Sequence, residues 1–580
     1  MMQARLGRGE ASLCFVVAAS LAVAAGLRGA PGVLDGDLLN PDTYMRLNRL
    51  HDILDAGSPL HAVLRDGSGA GAILHWSHLL DAVLLLLALP MRLVLSWHDA
   101  LHFAAVLIGP LGIGLTGVAA AWVMAPVLPG SGMRWTAAAL VGMAPPVVAY
   151  GFPGVAHHHV PLGVMALLLA GAAGRVAVGE ARAGVLLGAA AGAGIWLSPE
   201  AMPFVLMAFV GGGMAWMLTP RREIADGLAL AGAVFLAVTA AALLVDPPMT
   251  GWLAVEIDRL SLVYVVLAGV VAGVGWGLRT LGRWSGGALG VAGLLLWIAL
   301  FPGVLRGPEG VIDSAEARMV MAGIEEMRPV GSLMQGIEFL AAGVIGLGLC
   351  GWLALTRRSW LWFYAALCVA VMLGLGAMHL RFATYPTLAG AAALPVALAE
   401  LTRRLAGRPT RLALSRVGLL AVAMLSTRAD AIAGSFRPTA APRLSLASAG
   451  CPMRGLAEML APYAGAVVLS EVNDVPELLY RTGVRTVGSL YHRNFVAYGR
   501  LHRAWRAVPG DAPGPEFRAT GASLVLICRR PARSLMVADL PPETLMDRLA
   551  AGNPPAWLAR VAGDVEVGYV LYRVVESGSR

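Results

Sequence analysis

The stretch Leu79-Leu80-Asp81-Ala82-Val83-Leu84-Leu85-Leu86-Leu87-Ala88-Leu89-Pro90-Met91-Arg92-Leu93-Val94-Leu95-Ser96 is apolar enough to pass for a membrane span. Whether it crosses decides the fold. Pro90 and Arg92 interrupt it, and His75, His78 and Asp81 crowd its start, which suits an interfacial or re-entrant helix. Around it, runs of span length lie near residues 11–28, 102–128, 135–151, 159–178, 183–198, 200–218, 226–245, 260–279, 285–303, 338–356, 360–378, 382–400 and 412–428. The basic connections are Arg134, Arg175 with Arg182, Arg221 with Arg222, Arg279 with Arg283, Arg357 with Arg358, and Arg403 through Arg411. All six fall on one face only if residues 79–96 do not cross. Arginine-rich connections mark the cytoplasmic side. The expectation is therefore a mostly α, polytopic protein of about thirteen spans, with the N-terminus inside and the C-terminus outside. The first run, after Arg5 and Arg8, reads as a retained helix because no small-residue cleavage site precedes Arg28.

Composition agrees. The 580 residues are 57% hydrophobic and 14% charged, against roughly 25% charged in soluble domains. A soluble enzyme, a disordered chain and a collagen-like chain are excluded. All 44 basic residues are arginine, so lysine Schiff-base chemistry and a P-loop lysine are excluded too. The formal charge of +8 sits between apolar segments, where it sets topology, and no nucleic-acid partner is expected. Residues 1–428 read as the membrane domain, with a first outer loop at about 29–101 and a fifth at about 304–337. Residues 429–580 carry more charge, and short apolar stretches there alternate with helical patterns, as in a small extracytoplasmic α/β domain. Cys14, Cys350 and Cys368 lie in apolar runs as buried thiols, whereas Cys451 and Cys528 lie on the oxidising side and are expected to pair.

Acids and histidines in outer loops are the places to look for chemistry. The first cluster is Asp35-Gly-Asp37-Leu-Leu-Asn40-Pro41-Asp42-Thr43-Tyr44-Met45-Arg46, whose carboxylates suit a divalent cation or an acceptor proton. Arg46, four residues after Asp42, shares its helix face and is placed to orient it. The second is Gly154-Val155-Ala156-His157-His158-His159-Val160-Pro161. Neutral imidazoles ligate metals, but consecutive helical positions diverge by about 100°, so at most a pair is expected on one ion. The third is Gly323-Ile324-Glu325-Glu326-Met327-Arg328-Pro329, and Arg381 is a fourth candidate because arginine clamps phosphate. Read singly, each has a plainer alternative: a solvated acidic loop, interfacial histidines, a surface salt bridge, a snorkelling arginine. The segment Ser489-Leu490-Tyr491-His492-Arg493-Asn494 faces either an acceptor or, as a strand end, solvent.

Taken together, the clusters resemble the catalytic subunit of oligosaccharyltransferases, a polytopic family in the GT-C class of membrane glycosyltransferases. Asp42-Thr-Tyr44-Met-Arg-Leu resembles the first-loop aspartate motif, His157-His158-His159-Val160-Pro161 the Asp-His-His-Val-Pro form of the second, and Gly323-Ile324-Glu325-Glu326 the Thr-Ile-x-Glu motif. Trp196-Leu197-Ser198-Pro199-Glu200-Ala201 is similar to the tryptophan-bearing end of the fifth span. The resemblance implies a transferase taking a sugar or oligosaccharide from a polyprenyl-phosphate or -diphosphate donor at the outer face of the plasma (inner) membrane, among membrane lipids. Asp42 and Glu326 would be catalytic; Asp42, His157, His158, His159 and Glu326 would hold a divalent metal, manganese or magnesium; Arg381 would meet the donor phosphate. Asp37, Tyr44, Arg46, Glu325 and Arg328 would support them. Two departures stand out: His157 replaces an aspartate, and residues 429–580 hold no Trp-Trp-Asp motif for reading a sequon. A transporter or flippase, or a non-catalytic relative, are the alternatives.

Overall fold

The computed structural model describes residues 6–29, 31–128, 133–311, 318, 320, 324–427, 451, 453–528, 543–563 and 568–575. Each of the thirteen expected spans corresponds to helix: Arg8–Gly29, Trp97–Met124, Arg134–Met143 continued by Pro145–Val148, His159–Ala177, Ala183–Leu197, Met202–Leu218, Arg222–Val245, Leu262–Gly277, Arg283–Leu300, Leu333–Arg357, Trp360–Met378, Thr384–Arg404 and Pro409–Thr427. Among the described residues, nine helical segments are long and apolar enough to cross a membrane by length and composition. The protein is an integral membrane protein. The stretch around residue 79 forms a helix, Leu79–Met91, of 13 residues. At 1.5 Å per residue it spans about 20 Å, short of the roughly 30 Å of bilayer hydrocarbon. A turn follows, and Ser96 caps the next helix by accepting from the Asp99 amide at 3.1 Å.

The segment Leu380–Arg404 is the central one, with 83% of its apolar window buried against 17% for Trp360–Met378. Small residues let its neighbours close in: a Cβ on Gly346 would stand 2.6 Å from the Gly390 Cα. Helix polarity is consistent along the bundle. His159 opens the helix that ends near Arg175, and the helix that begins at Arg222 runs out at Asp246. Arginine ion pairs gather at one set of helix ends, as in Arg134–Glu10 at 2.8 Å and Arg357, Arg403 and Arg404 around Glu400. The acids and histidines of the candidate site lie at the other.

The C-terminal part is α/β, and the expected boundary at residues 428/429 lies outside the described residues. Strands β3 (Val467–Leu469), β4 (Arg485–Thr486), β5 (Leu524–Cys528), β6 (Leu558–Gly563) and β7 (Tyr569–Val574) form one sheet in the order β4-β3-β5-β7-β6. β3 pairs parallel with β4 and β5, while β7 runs antiparallel to β5 and β6. β1 (Ala62–Val63) and β2 (Ala72–Ile73) make a separate ribbon in the first loop. Cys451 and Cys528 form a disulfide, with Cα atoms 5.9 Å apart, as expected. The free thiols Cys14 and Cys350 are buried.

This domain is seated firmly on the loops. Arg65 of the first loop donates to the carbonyls of Leu479 and Thr482, each at 2.5 Å. From the fifth loop, Val320 is fully buried in a core with Leu469, Tyr498 and Trp505.

Candidate functional site

Three loops deliver the site. Asn40 caps the helix Pro41–Ala56 by accepting from the Asp42 amide at 2.7 Å, and Pro41 suits the first helical position. Asp42 is thereby fixed in the first turn. The second loop is tied alongside: Thr43 Oγ1 accepts from the Ala156 amide at 2.9 Å, and the Leu39 amide donates to Gly154 at 3.1 Å. The fifth loop is fastened to the turn before Thr384, because His379 Nδ1 donates to the Met327 carbonyl at 2.8 Å and the Leu380 amide to that of Arg328 at 3.2 Å. That clasp brings Glu326 to Arg381.

The histidine triplet corrects the expectation that at most two could converge. Its three ligand atoms lie within 4.8 Å of one another, and the rings stack with centroids 4.5 to 4.7 Å apart. The 100° divergence applies only inside a helix, and only His159 belongs to one. His158 is the cap residue and His157 lies before it, outside the helical period, so its ring is not held to the 100° step.

Around the rings stand three acids. His157 Nε2 lies 3.0 Å from Asp42 Oδ2. Glu200 Oε2 lies 3.6 Å from both His158 Nε2 and His159 Nδ1, and Glu326 Oε2 lies 4.0 Å from His159 Nε2. Arg381 bridges two of these acids, with Nη1 at 2.8 Å from Glu200 Oε1 and Nη2 on Glu326 Oε1. Tyrosines close the rim: Tyr150 donates to Glu326 at 2.7 Å, Tyr491 donates to Asp42 Oδ1 at 3.0 Å, and the Tyr385 hydroxyl meets His159 Nδ1 at 3.2 Å. Burial pushes the Asp42 carboxyl up, but the hydrogen bond and charge of His157 bring it below its ordinary value. Burial likewise raises Glu326, and the Arg381 charge, with His157, takes it down to about 2. The His158 imidazole is shifted down by burial and by the His157 charge, which keeps its lone pair available to a metal.

These residues fit a divalent cation. His159 Nε2 and Glu200 Oε2 are buried without a hydrogen-bond partner, and both are turned toward the neighbouring donors. Imidazole with carboxylate is a donor set for zinc or manganese more than for magnesium.

Asp42, His157, His158, His159, Glu326 and Arg381 are therefore brought together. Others are not. Arg46 does not orient Asp42: its Nη1 pairs with Asp81 Oδ1 at 2.6 Å and its guanidinium lies 4.6 Å over Trp76. Asp37 is spent on the C-terminal domain, 2.5 Å from Arg454 and 2.9 Å from Arg481. The Tyr44 hydroxyl accepts from Arg481 at 3.1 Å at the same junction. Arg328 contributes the backbone tie above, and the side chain of Glu325 lies outside the described residues. Glu200, Tyr150, Tyr385 and Tyr491 were not anticipated. Glu200 carried a signal, being an acid at the end of a span, and Tyr491 lay in the polar-aromatic segment 489–494; Tyr150 and Tyr385 carried none.

Beside the site, a narrow cleft is lined by Arg46, His75, Trp76, His158, Trp196 and Arg259, among others. Arg46 Nε, Arg259 Nε and His75 Nδ1 are buried there without partners, and burial holds His75 well below its ordinary value.

The fold is that of an oligosaccharyltransferase. The oligosaccharyltransferase of the archaeon Archaeoglobus fulgidus, tethered to an acceptor peptide containing the NVT sequon, matches with a TM-score of 0.65 and 12% identity, over 90% of this chain and 69% of that one. The same archaeal enzyme, AglB, in complex with an inhibitory peptide and a dolichol-phosphate, matches at 0.62 with 13% identity over 90% and 69%. Its complex with zinc and sulfate matches at 0.60 with 13% identity over 89% and 67%. No protein-family model matches the sequence, and no curated protein matches it.

Proposed function

We propose that the protein is a membrane glycosyltransferase that moves a sugar or oligosaccharide from a polyprenyl-phosphate or -diphosphate donor to an acceptor at the outer face of the plasma (inner) membrane. The N-terminus is cytoplasmic and the C-terminal domain outside, in keeping with arginine pairs at one set of helix ends and the acid-histidine cluster at the other. The observation that carries the reading is the convergence, in a fold of this kind, of the first, second and fifth loops with the turns that carry Glu200 and Arg381, which brings together three carboxylates, three imidazoles and Arg381.

The donor's apolar chain lies against the spans. Arg381 keeps a buried Nε–H without a partner, and this donor reaches toward the phosphate while the two Nη groups stay on Glu200 and Glu326. Arg46, Arg259 and His75 line the adjoining space with further unspent donors for the polar headgroup. Asp42, His157, His158, His159, Glu200 and Glu326 would hold a divalent metal, which when bound supplies positive charge to a leaving phosphate. Asp42 receives the acceptor's proton: each carboxylate oxygen accepts two hydrogen bonds, so Oδ1 and Oδ2 retain a lone pair beside Tyr491 and His157.

The test is turnover in detergent with a labelled polyprenyl-linked sugar. Asp42→Ala and Glu326→Ala are each expected to lose about 100-fold or more of the transfer rate. Wild-type transfer in both variants would sink the assignment. The fold neighbour with a sequon peptide makes peptide one acceptor class for the panel; the absence of a Trp-Trp-Asp motif makes hydroxyl-bearing glycans another.

A further inference from the structure

Segment 489–494 of the C-terminal domain is gripped from both sides by acids of the membrane part. Asp66, fully buried, accepts from Ser489 Oγ, from Thr486 Oγ1 at 2.9 Å and from Asn494 Nδ2 at 3.2 Å. Asp258 accepts from Arg493 Nε at 2.7 Å and Nη2 at 2.5 Å, and lies 2.7 Å from His492 Nε2. Between these two holds, Tyr491 sits 6% exposed, its ring edge-on to Trp76 at 5.1 Å and packed with Met45, Val475 and Leu479. A ring held in this way fixes the place of its hydroxyl oxygen. The hydroxyl points at Asp42 Oδ1.

We infer that Tyr491 is a positioning residue for Asp42 as a metal ligand, and that through it the docking of the C-terminal domain and metal uptake by the Asp42–histidine–Glu200–Glu326 cluster are coupled. The inference rests on the metal-holding reading of that cluster. The physical reason is that a ligating carboxylate needs an outer hydrogen bond to fix its orientation, and removal of such a partner typically weakens metal affinity about 10- to 100-fold. Here the partner belongs to another domain. A ligand that prefers the docked state must then strengthen docking by the same factor by which docking strengthens its binding.

The full-length protein in detergent is titrated calorimetrically with Zn²⁺ alone, so no transfer is needed. Tyr491→Phe keeps the ring on Trp76 and deletes only the hydroxyl; its affinity is expected to fall about 10- to 100-fold. In an Asp42→Asn background the same change is expected to do nothing further. Equal affinity in Tyr491→Phe and wild type, with Asp42→Asn weakened, overturns the positioning role and leaves the metal site standing. Wild-type affinity in Asp42→Asn overturns the metal site and the coupling with it. A second measurement dispenses with the tyrosine variant: amide exchange of residues 489–494 is expected to slow when Zn²⁺ is added to wild type and not when it is added to Asp42→Asn. Exchange that ignores Zn²⁺ in wild type overturns the coupling.

Discussion

Two buried polar clusters lie side by side at the junction of the loops, and both contain histidines close enough together to share an ion: His157, His158 and His159 in one, His61 and His78 with Asp246 in the other. Their charge balance separates them. In the first, Asp42, Glu200 and Glu326 outnumber Arg381, the one arginine among them, so carboxylates are in excess. In the second, Arg46 and Arg49 share Asp81, Arg259 holds Asp246, and Arg493 holds Asp258 and Glu256. Positive and negative charges there cancel. Asp246 is also heavily engaged, since its oxygens take Arg259 at 3.1 Å, the Trp196 indole at 2.9 Å and the His78 amide at 2.8 Å. Proximity of ligand atoms is common to both clusters. Only the charge-deficient one has reason to recruit a cation.

The sharpest way to break this comparison is at the balanced cluster. Asp81→Ala strands Arg46 and Arg49, both at most 3% exposed, and is expected to cost about 3–5 kcal/mol of stability. A melting curve close to wild type would refute that role. The acid limb follows from the same pairs: burial alone raises Asp81, but Arg49 and Arg46 more than reverse it, so its folded value lies below its unfolded one. Its contribution is then present above the ordinary carboxylate value of about 3.9 and is lost as pH falls through the lower folded value.

Glu200→Gln probes the other cluster and should invert the outcome. Arg381 keeps Glu326 as a charged partner, and the glutamine keeps an oxygen to accept from it, so the loss of stability is expected to be about 1–2 kcal/mol, smaller than for Asp81→Ala. Transfer should fall about 100-fold, because a ligand and half of the Arg381 clamp are gone. A variant that melts early yet transfers normally would mean that the two clusters do the same structural job. The smallest effect belongs to the rim, where Asp37 (31% exposed) meets Arg454 (42% exposed). Asp37→Ala is expected to cost about 0.2–1 kcal/mol by denaturant titration, and an effect of several kcal/mol would show that the seat of the C-terminal domain depends on it.

Much of this was legible beforehand, for identifiable reasons. Span positions followed from the length of apolar runs and the side on which arginines fall, because the bilayer imposes both. Asp42, Glu326 and Arg381, which the structure brings into one cluster, stood out since ionisable groups near a membrane are scarce. What failed was local geometry and distant pairing. The triplet was assigned a helical period that begins only at His159. The four-residue spacing of Arg46 named its face but not its partner, and Asp81 outcompeted Asp42 for it. Ser489 to Asn494 looked like solvent-facing residues because the acids that bury them, Asp66 and Asp258, lie over 200 positions away. No window of sequence contains both sides of such a contact.

The bond from Tyr491 to Asp42 joins residues separated by 449 positions. At translation speeds of about 5–20 residues per second, the aspartate waits roughly 20 to 90 s after its own synthesis for the tyrosine to exist at all. Through that interval the nascent chain carries its helices and acids but lacks the hydroxyl that steadies Asp42. The last quarter of the polypeptide thus supplies the final partner of a carboxylate made near its start.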